Sequence, residues 1–370
     1  MLTIEKVQLR ESISPSTESF RVGSRSFGLD LIRALAVCLV LVAHFAKALE
    51  FLGFWGVELF FALSGYLIGQ IIWRSYSSSS EWSFSKIKNF WFRRWWRTLP
   101  NYYLFLIISI GFHFFTNGLP SAKTFSTFLW FGQNLTSRNG GFYGVSWSLC
   151  IEEWLYLTFP VILYLFSKMK LGVKTTFVGT IVSFFIGSVI IRQILDTAGQ
   201  GQFLRTITLA RLDSIAYGIG VAYLTSISEW SKARKQLSFC LGVLSILSSL
   251  YVATFAGDFL SELRQSKALL VIVPMGSALI LLLCALLKPF RGSLNFLSSI
   301  VEKLSLWTYS IYLSHIPILF TCYYLLDGIR SSNVGNLISK FVGLIVTLAI
   351  SGIIYRYFEL PLTMKRPKEA

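Results

Sequence analysis

Charge is what this sequence has least of. Only 14% of its 370 residues are Asp, Glu, Lys or Arg, against 54% hydrophobic, and a soluble domain of that length needs far more charge to cover its surface. The shortage excludes a soluble fold and leaves an all-α, polytopic integral membrane protein. Histidine is scarcer still, with three in the chain. The five cysteines (Cys38, Cys150, Cys240, Cys284 and Cys322) lie in or beside apolar segments without paired spacing, so disulfides and zinc sites lack support. Also missing are a phosphate-binding glycine loop, a Gly-x-Ser-x-Gly elbow and any metal-spaced cluster; no metal is expected. Ser64-Gly65, inside an apolar run, reads as a small-residue packing point rather than a nucleophile.

What the chain has in excess is positive charge: 34 Lys and Arg against 18 Asp and Glu, a formal net charge of +16. In a soluble protein that balance suggests nucleic acid. Here the basic residues fall in short gaps between apolar runs, where they orient the chain and meet anionic headgroups, so the expected partner is the lipid bilayer and not nucleic acid. A membrane-length window gives ten candidate spans: 29–49, 54–73, 99–116, 147–167, 173–191, 206–226, 236–256, 268–287, 304–326 and 336–358. Sorted by alternate gaps, 22 Lys and Arg fall on one side and 9 on the other, which places both termini in the cytoplasm (N-in/C-in) with an even number of crossings. Residues 1–28 read as a disordered cytoplasmic tail, 29–362 as the transmembrane domain and 363–370 as a second short tail. The first span follows Arg21 and Arg25 and is about 20 residues long, too long for a secretory leader, so it should stay as an anchor. No internal repeat stands out, which withholds support from an inverted-repeat transporter.

Two connections are distinctive. SYSSSSEWSFSKIKNFWFRRWWRTLP runs from a serine stretch into a basic, aromatic segment expected along the cytoplasmic interface. On the other side, 117–146 is the longest connection. It contains Asn134-Leu135-Thr136, a weak match to a glycosylation triplet.

The first span, LDLIRALAVCLVLVAHFAKAL, carries Arg33 near its start and His44 near its end. Eleven helical steps come to about three turns plus 20°, so both side chains lie on one stripe over roughly 16 Å. Ionisable groups in a spanning helix are expensive and usually line a cavity or find a partner. His44 is either an interfacial histidine or a base, and Glu58, Glu152 and Glu153 are expected in its layer; a carboxylate on one ring nitrogen would fix the tautomer and raise the basicity of the other. Arg33 either pairs with Asp30 at i,i+3 or faces an anionic ligand. Arg93, Arg94 and Arg97, among Trp91, Trp95 and Trp96, are either a positive-inside collar with an aromatic belt or a guanidinium grip on phosphate. Arg211 and Asp213 in ARLDSIAYGIG point to different faces and should serve different partners. His315 lies deep in YSIYLSHIP, where Pro317 loosens the helix. Arg356 and Glu359 form an i,i+3 pair expected to clamp a helix end, and His113 reads as structural.

Taken together in this order, Arg33 and His44 with ten residues between them, GVELFFALSGYLI, RRWWRTLPNYY, WSLCIEEWLYLTFP, ARLDSIAYGIG, YSIYLSHIP and YRYFELP resemble the membrane-bound acyltransferase 3 family over about residues 27–362. Two departures stand out: Trp154-Leu155 replaces the family's usual Gln-Phe, and Thr98 stands where isoleucine is common. Neither removes an ionisable group, though the first bears on the acceptor pocket. The resemblance implies an O-acyltransferase that moves an acyl group, acetyl first among the candidates, from cytoplasmic acyl-CoA to a sugar hydroxyl of an envelope polysaccharide, lipid-linked glycan or secreted glycoconjugate, in the plasma (inner) membrane of a bacterium. Some relatives carry an extracytoplasmic esterase-like domain after the tenth span; none is read here, so transfer is expected without a second soluble module. On this reading His44 is the general base, oriented by Glu153 ahead of Glu58 or Glu152. Arg33, Arg93, Arg94 and Arg97 hold the acyl-CoA phosphates, and Trp147, Arg211, Asp213 and His315 surround the acceptor. Rival readings are a proton-coupled transporter or exporter using the same intramembrane charges, and a non-catalytic membrane partner.

Overall fold

A computed structural model describes residues 26–78, 82–138, 141–255 and 266–368. Every regular element among them is helical. The main helices are α1 (Phe27–Phe45), α2 (Leu52–Ser77), α3 (Phe84–Asn117), α4 (Ala122–Leu129), α5 (Trp147–Ser167), α6 (Val173–Thr197), α7 (Leu212–Ile227), α8 (Lys232–Phe255), α9 (Leu269–Cys284), α10 (Asn295–Leu325), α11 (Asp327–Arg330), α12 (Asn333–Ile354) and α13 (Leu360–Met364). The last two are joined by a π turn, Tyr355–Glu359. Each of the ten expected spans falls on a helix. Among the described residues seven helices are long and apolar enough to cross a bilayer, whereas α7 and α9 are shorter apolar helices of 16 residues each. The protein is a multi-pass membrane protein.

One expectation needs correcting. The basic aromatic segment and the third span are not separate elements but one 34-residue helix, α3. At about 1.5 Å per residue it reaches about 51 Å, against a hydrocarbon layer of about 30 Å. Its N-terminal third therefore projects past the apolar layer as a continuation of the membrane helix. Ser83 caps that end by accepting from the Lys86 amide at 3.5 Å.

Helix α2 sits at the centre, packed against α1, α7 and α9. Its approach to α7 depends on two small residues. A Cβ at Gly65 would stand 2.0 Å from the Ile215 carbonyl oxygen, and one at Gly218 would stand 2.2 Å from that of Ala62. The packing reading of Ser64-Gly65 is thus the one the helices realise.

Pro160, Pro274 and Pro317, three of the four prolines in the interior of the described helices, leave carbonyls whose lost amide another group replaces, since proline has no N–H to give to the residue four back. In each case a side chain from another part of the chain supplies the hydrogen. Trp91 Nε1 donates to Tyr156 O at 3.0 Å, replacing the amide of residue 160; Arg211 Nη1 donates to Leu270 O at 3.2 Å, below Pro274; the Tyr143 hydroxyl donates to Leu313 O at 3.3 Å, below Pro317. Such replacement is what makes proline tolerable in a medium without water.

Candidate functional site

A cleft opens between α1, α2, α3, α5 and α10, with about 900 Å³ of empty space. Arg33, Arg94 and Arg97 all line it, together with Glu152, Tyr156, Tyr312 and Glu359. Helical spacing explains the convergence on α3: residues 94, 97, 98 and 101 form one stripe, while Arg93 is turned about 100° away. Arg93 instead donates to the Pro367 carbonyl at 2.9 Å, tying α3 to the C-terminal tail.

The electrostatics of the cleft are uneven. Arg33 donates from Nη1 to Asp30 Oδ1 at 3.2 Å and to Ser305 Oγ at 3.1 Å, so the i,i+3 pair forms and the guanidinium still lines the cleft. Glu152 accepts from the hydroxyls of Ser64 at 3.1 Å and Tyr156 at 3.0 Å. Glu359 accepts from Asn101 Nδ2 at 2.8 Å and from the Ser310 hydroxyl at 2.6 Å. Both carboxylates are therefore satisfied by neutral donors. Arg94 lies over the Tyr156 ring, 5.2 Å from its centroid, and neither Arg94 nor Arg97 forms an ion pair among the described residues. Two guanidinium groups thus face a cleft whose acids are occupied.

Glu359 was missed as a cleft residue. The expected Arg356–Glu359 clamp does not form: Arg356 rests over the Tyr357 ring at 5.6 Å. The π turn widens the helix by one residue per turn and re-aims the carboxylate inward, a local change that 3.6-residue periodicity cannot anticipate.

His44 lies on α1 about three turns from Arg33 and does not line this cleft. Its Nδ1 donates to the Val40 carbonyl at 2.8 Å, and the ring is exposed. The carboxylate expected on that nitrogen is replaced by the backbone one turn back. The fields of Arg205 and Glu50 reach the ring. Against it stands His315, fully buried on α10, with ring centroids 4.8 Å apart. Tyr312 comes next, 5.8 Å from His315 and 5.9 Å from Phe60. Phe60 and Tyr312 both line the cleft, so Tyr312 joins its wall to the buried His315.

The remaining expected residues have other neighbours. Glu58 pairs with Arg211, both fully buried. Asp213 pairs with Arg192 in a two-pronged contact at 3.0 and 2.8 Å, also buried. Arg211 and Asp213 do serve different partners, and both are committed to the packing of α2, α6 and α7. Arg192 was overlooked because it lies just beyond the end assigned to its span; a buried aspartate that needs a cation was the signal for it. Glu153 is buried with the Thr98 hydroxyl in hydrogen-bonding reach, and it lines a second opening beside Trp95, Tyr103 and Trp154. Trp147, at the start of α5, carries Arg205 over its ring at 5.2 Å; the same guanidinium lies 4.9 Å from the Phe54 ring. Asn134 is buried, and its carbonyl accepts from the Thr208 amide at 2.7 Å, so the asparagine of the glycosylation triplet is not offered to solvent. No group of three or more His, Cys, Asp or Glu that could hold a metal occurs among the described residues.

Comparison with known proteins gives a consistent picture. A family model described as an acyltransferase domain matches residues 26–356. The chain is similar to the peptidoglycan O-acetyltransferase OatA of Listeria monocytogenes, at 26% identity over 360 residues that cover 90% of this chain and 55% of that protein. It is similar to the putative O-acetyltransferase SACOL0978 of Staphylococcus aureus, at 25% identity over 354 residues, 90% of this chain and 56% of that one. It is also similar to the putative peptidoglycan O-acetyltransferase YrhL of Bacillus subtilis, at 25% identity over 366 residues, 90% and 54% of the respective chains. The chain therefore spans about half the length of the curated relatives it matches. No solved structure matches.

Proposed function

Because the chain belongs to the acyltransferase domain family, we propose that it is a membrane O-acyltransferase that takes an acyl group, acetyl in the first instance, from acyl-CoA and transfers it to a sugar hydroxyl of a bacterial cell-envelope glycan. The activity for which two of the relatives are named, peptidoglycan O-acetylation, supports an envelope acceptor, and the inner membrane is where such a protein meets both substrates. The observation that carries the reading is the arginine cleft. Arg94 and Arg97 face it without carboxylate partners, and Arg33 joins them from α1. A guanidinium fork matches phosphate oxygens in geometry and charge, so the phosphates of CoA sit among these three residues and the thioester arm runs toward Phe60 and Tyr312. A proton-coupled transporter has no use for unpaired guanidiniums in such a cleft. His44, beyond the aromatic pair, is the base: a sugar hydroxyl is too weak an acid to attack a thioester unaided, and a neutral imidazole with Nε2 free takes its proton. Arg93, held by the tail, is left out of the donor site.

Charge-assisted contacts to phosphate contribute about 1.5–3 kcal/mol each. Arg97→Ala should therefore weaken acyl-CoA binding roughly ten- to hundredfold, and Arg97→Lys should recover part of the loss, since a point charge replaces the attraction but not the fork. Calorimetric titration of the purified protein with acetyl-CoA checks this. Unchanged affinity in the Arg94→Ala/Arg97→Ala protein would reduce these residues to a topological role and remove the donor site from this cleft.

A further inference from the structure

Both histidine rings are fixed in the same manner. Nδ1 of His44 donates to Val40 O at 2.8 Å, and Nδ1 of His315 donates to Tyr312 O at 2.7 Å. A neutral imidazole has one N–H, so each ring is left with a lone pair on Nε2. In His315 that atom is buried and has no hydrogen-bond partner among the described residues. A buried acceptor left empty is uncommon and calls for a reason. The rings meet edge to face at 4.8 Å, with planes at 63°.

We propose that His315 is the second half of the base: its Nε2 accepts from the Nε2–H that His44 acquires on deprotonating the acceptor, so that the imidazolium is held between two nitrogens. The inference rests on reading the protein as an acyl-CoA-dependent O-acyltransferase with His44 as base. The acceptor O–H breaks and its proton goes to His44 Nε2. The oxygen forms a C–O bond to the acyl carbon and the C–S bond breaks toward sulfur. The proton shared by the two rings then goes to the departing thiolate, which leaves both imidazoles neutral. At rest no charge is stored between the rings, and none of the costs of a buried ion arises. The part usually given to a carboxylate falls here to a neutral acceptor, because Glu58 is bound to Arg211, Glu152 to Ser64 and Tyr156, and Glu153 lies beside Thr98. The other ionisable groups facing the pair are Arg205 and Glu50 at His44 and the Tyr312 phenol at His315.

The test uses the full chain in lipid nanodiscs with radiolabelled acetyl-CoA and soluble peptidoglycan fragments as probe acceptor, following both thiol release and label transfer. His315→Asn keeps an amide N–H where Nδ1–H stands and deletes Nε2, whereas His315→Gln places a carbonyl oxygen near the lost nitrogen. His315→Asn should melt and bind acetyl-CoA as the wild type does, keep its KM, and lose roughly ten- to hundredfold in kcat; His315→Gln should regain part of this. In a His44→Ala background His315→Asn should cost nothing further, since the two act as one unit. Wild-type kcat in His315→Asn, kcat that merely follows melting temperature, or losses that multiply in the double variant would each overturn the proposal. Absence of acetyl-CoA turnover by the wild type would overturn the acyltransferase reading beneath it.

Discussion

His44 takes its tautomer from the helix that carries it. With Nδ1 donating to Val40 O, the ring keeps Nε2 available without any acid beside it. Loss of a general base typically costs about 10²- to 10⁴-fold in rate, so His44→Ala should slow acylation by about that factor to a small residual rate while the protein still inserts and binds acyl-CoA; acylation at the wild-type rate by folded His44→Ala would move the base elsewhere. The stripe of Arg94 and Arg97 was legible in the sequence because both lie on one helix, where spacing fixes direction. His44 against His315, and Arg192 against Asp213, were not. Those contacts join distant helices, and local periodicity says nothing about which faces meet. Glu359 was misread for another reason: a π turn lies outside the period by which its direction was judged.

Among elements, the ten apolar stretches were legible as helices because burial in lipid demands that backbone groups be satisfied within each segment. Their ends were less so. The apolar pattern starts the third span at residue 99, after the basic segment, but Pro100 breaks nothing and α3 runs through it. At Pro160, Pro274 and Pro317 side chains replace the lost amides, and α5 owes that repair to Trp91. Phenylalanine at that position fills the space but cannot donate, leaving the Tyr156 carbonyl unpaired at a cost of about 1–3 kcal/mol. Trp91→Phe should lower the melting temperature in detergent by several degrees with acyl-CoA affinity little changed. An unaltered melting curve would show that another donor takes over.

For the whole molecule, the imbalance of 22 basic residues to 9 across alternate gaps predicts, by the positive-inside rule, that the arginine cleft faces the cytoplasm and the exposed His44 ring the outside. In a cysteine-free background, an impermeant thiol reagent added to intact cells should label Thr136→Cys and spare Lys170→Cys, both exposed positions. The reverse pattern would invert the membrane orientation and the direction of transfer with it. The aromatic pair Phe60 and Tyr312, which lines the cleft and reaches His315 through Tyr312, then has a bearing on the cell's energy supply under the proposed function. An enzyme that joined a cytoplasmic hollow to an outward-facing ring by a continuous water column would conduct protons down the membrane potential, each worth about 2.3 kcal/mol per 100 mV. On the proposed function, two apolar rings at this wall of the cleft would narrow such a column while a slender thioester arm passed, so that acylation outside need not discharge the gradient that the rest of the cell runs on.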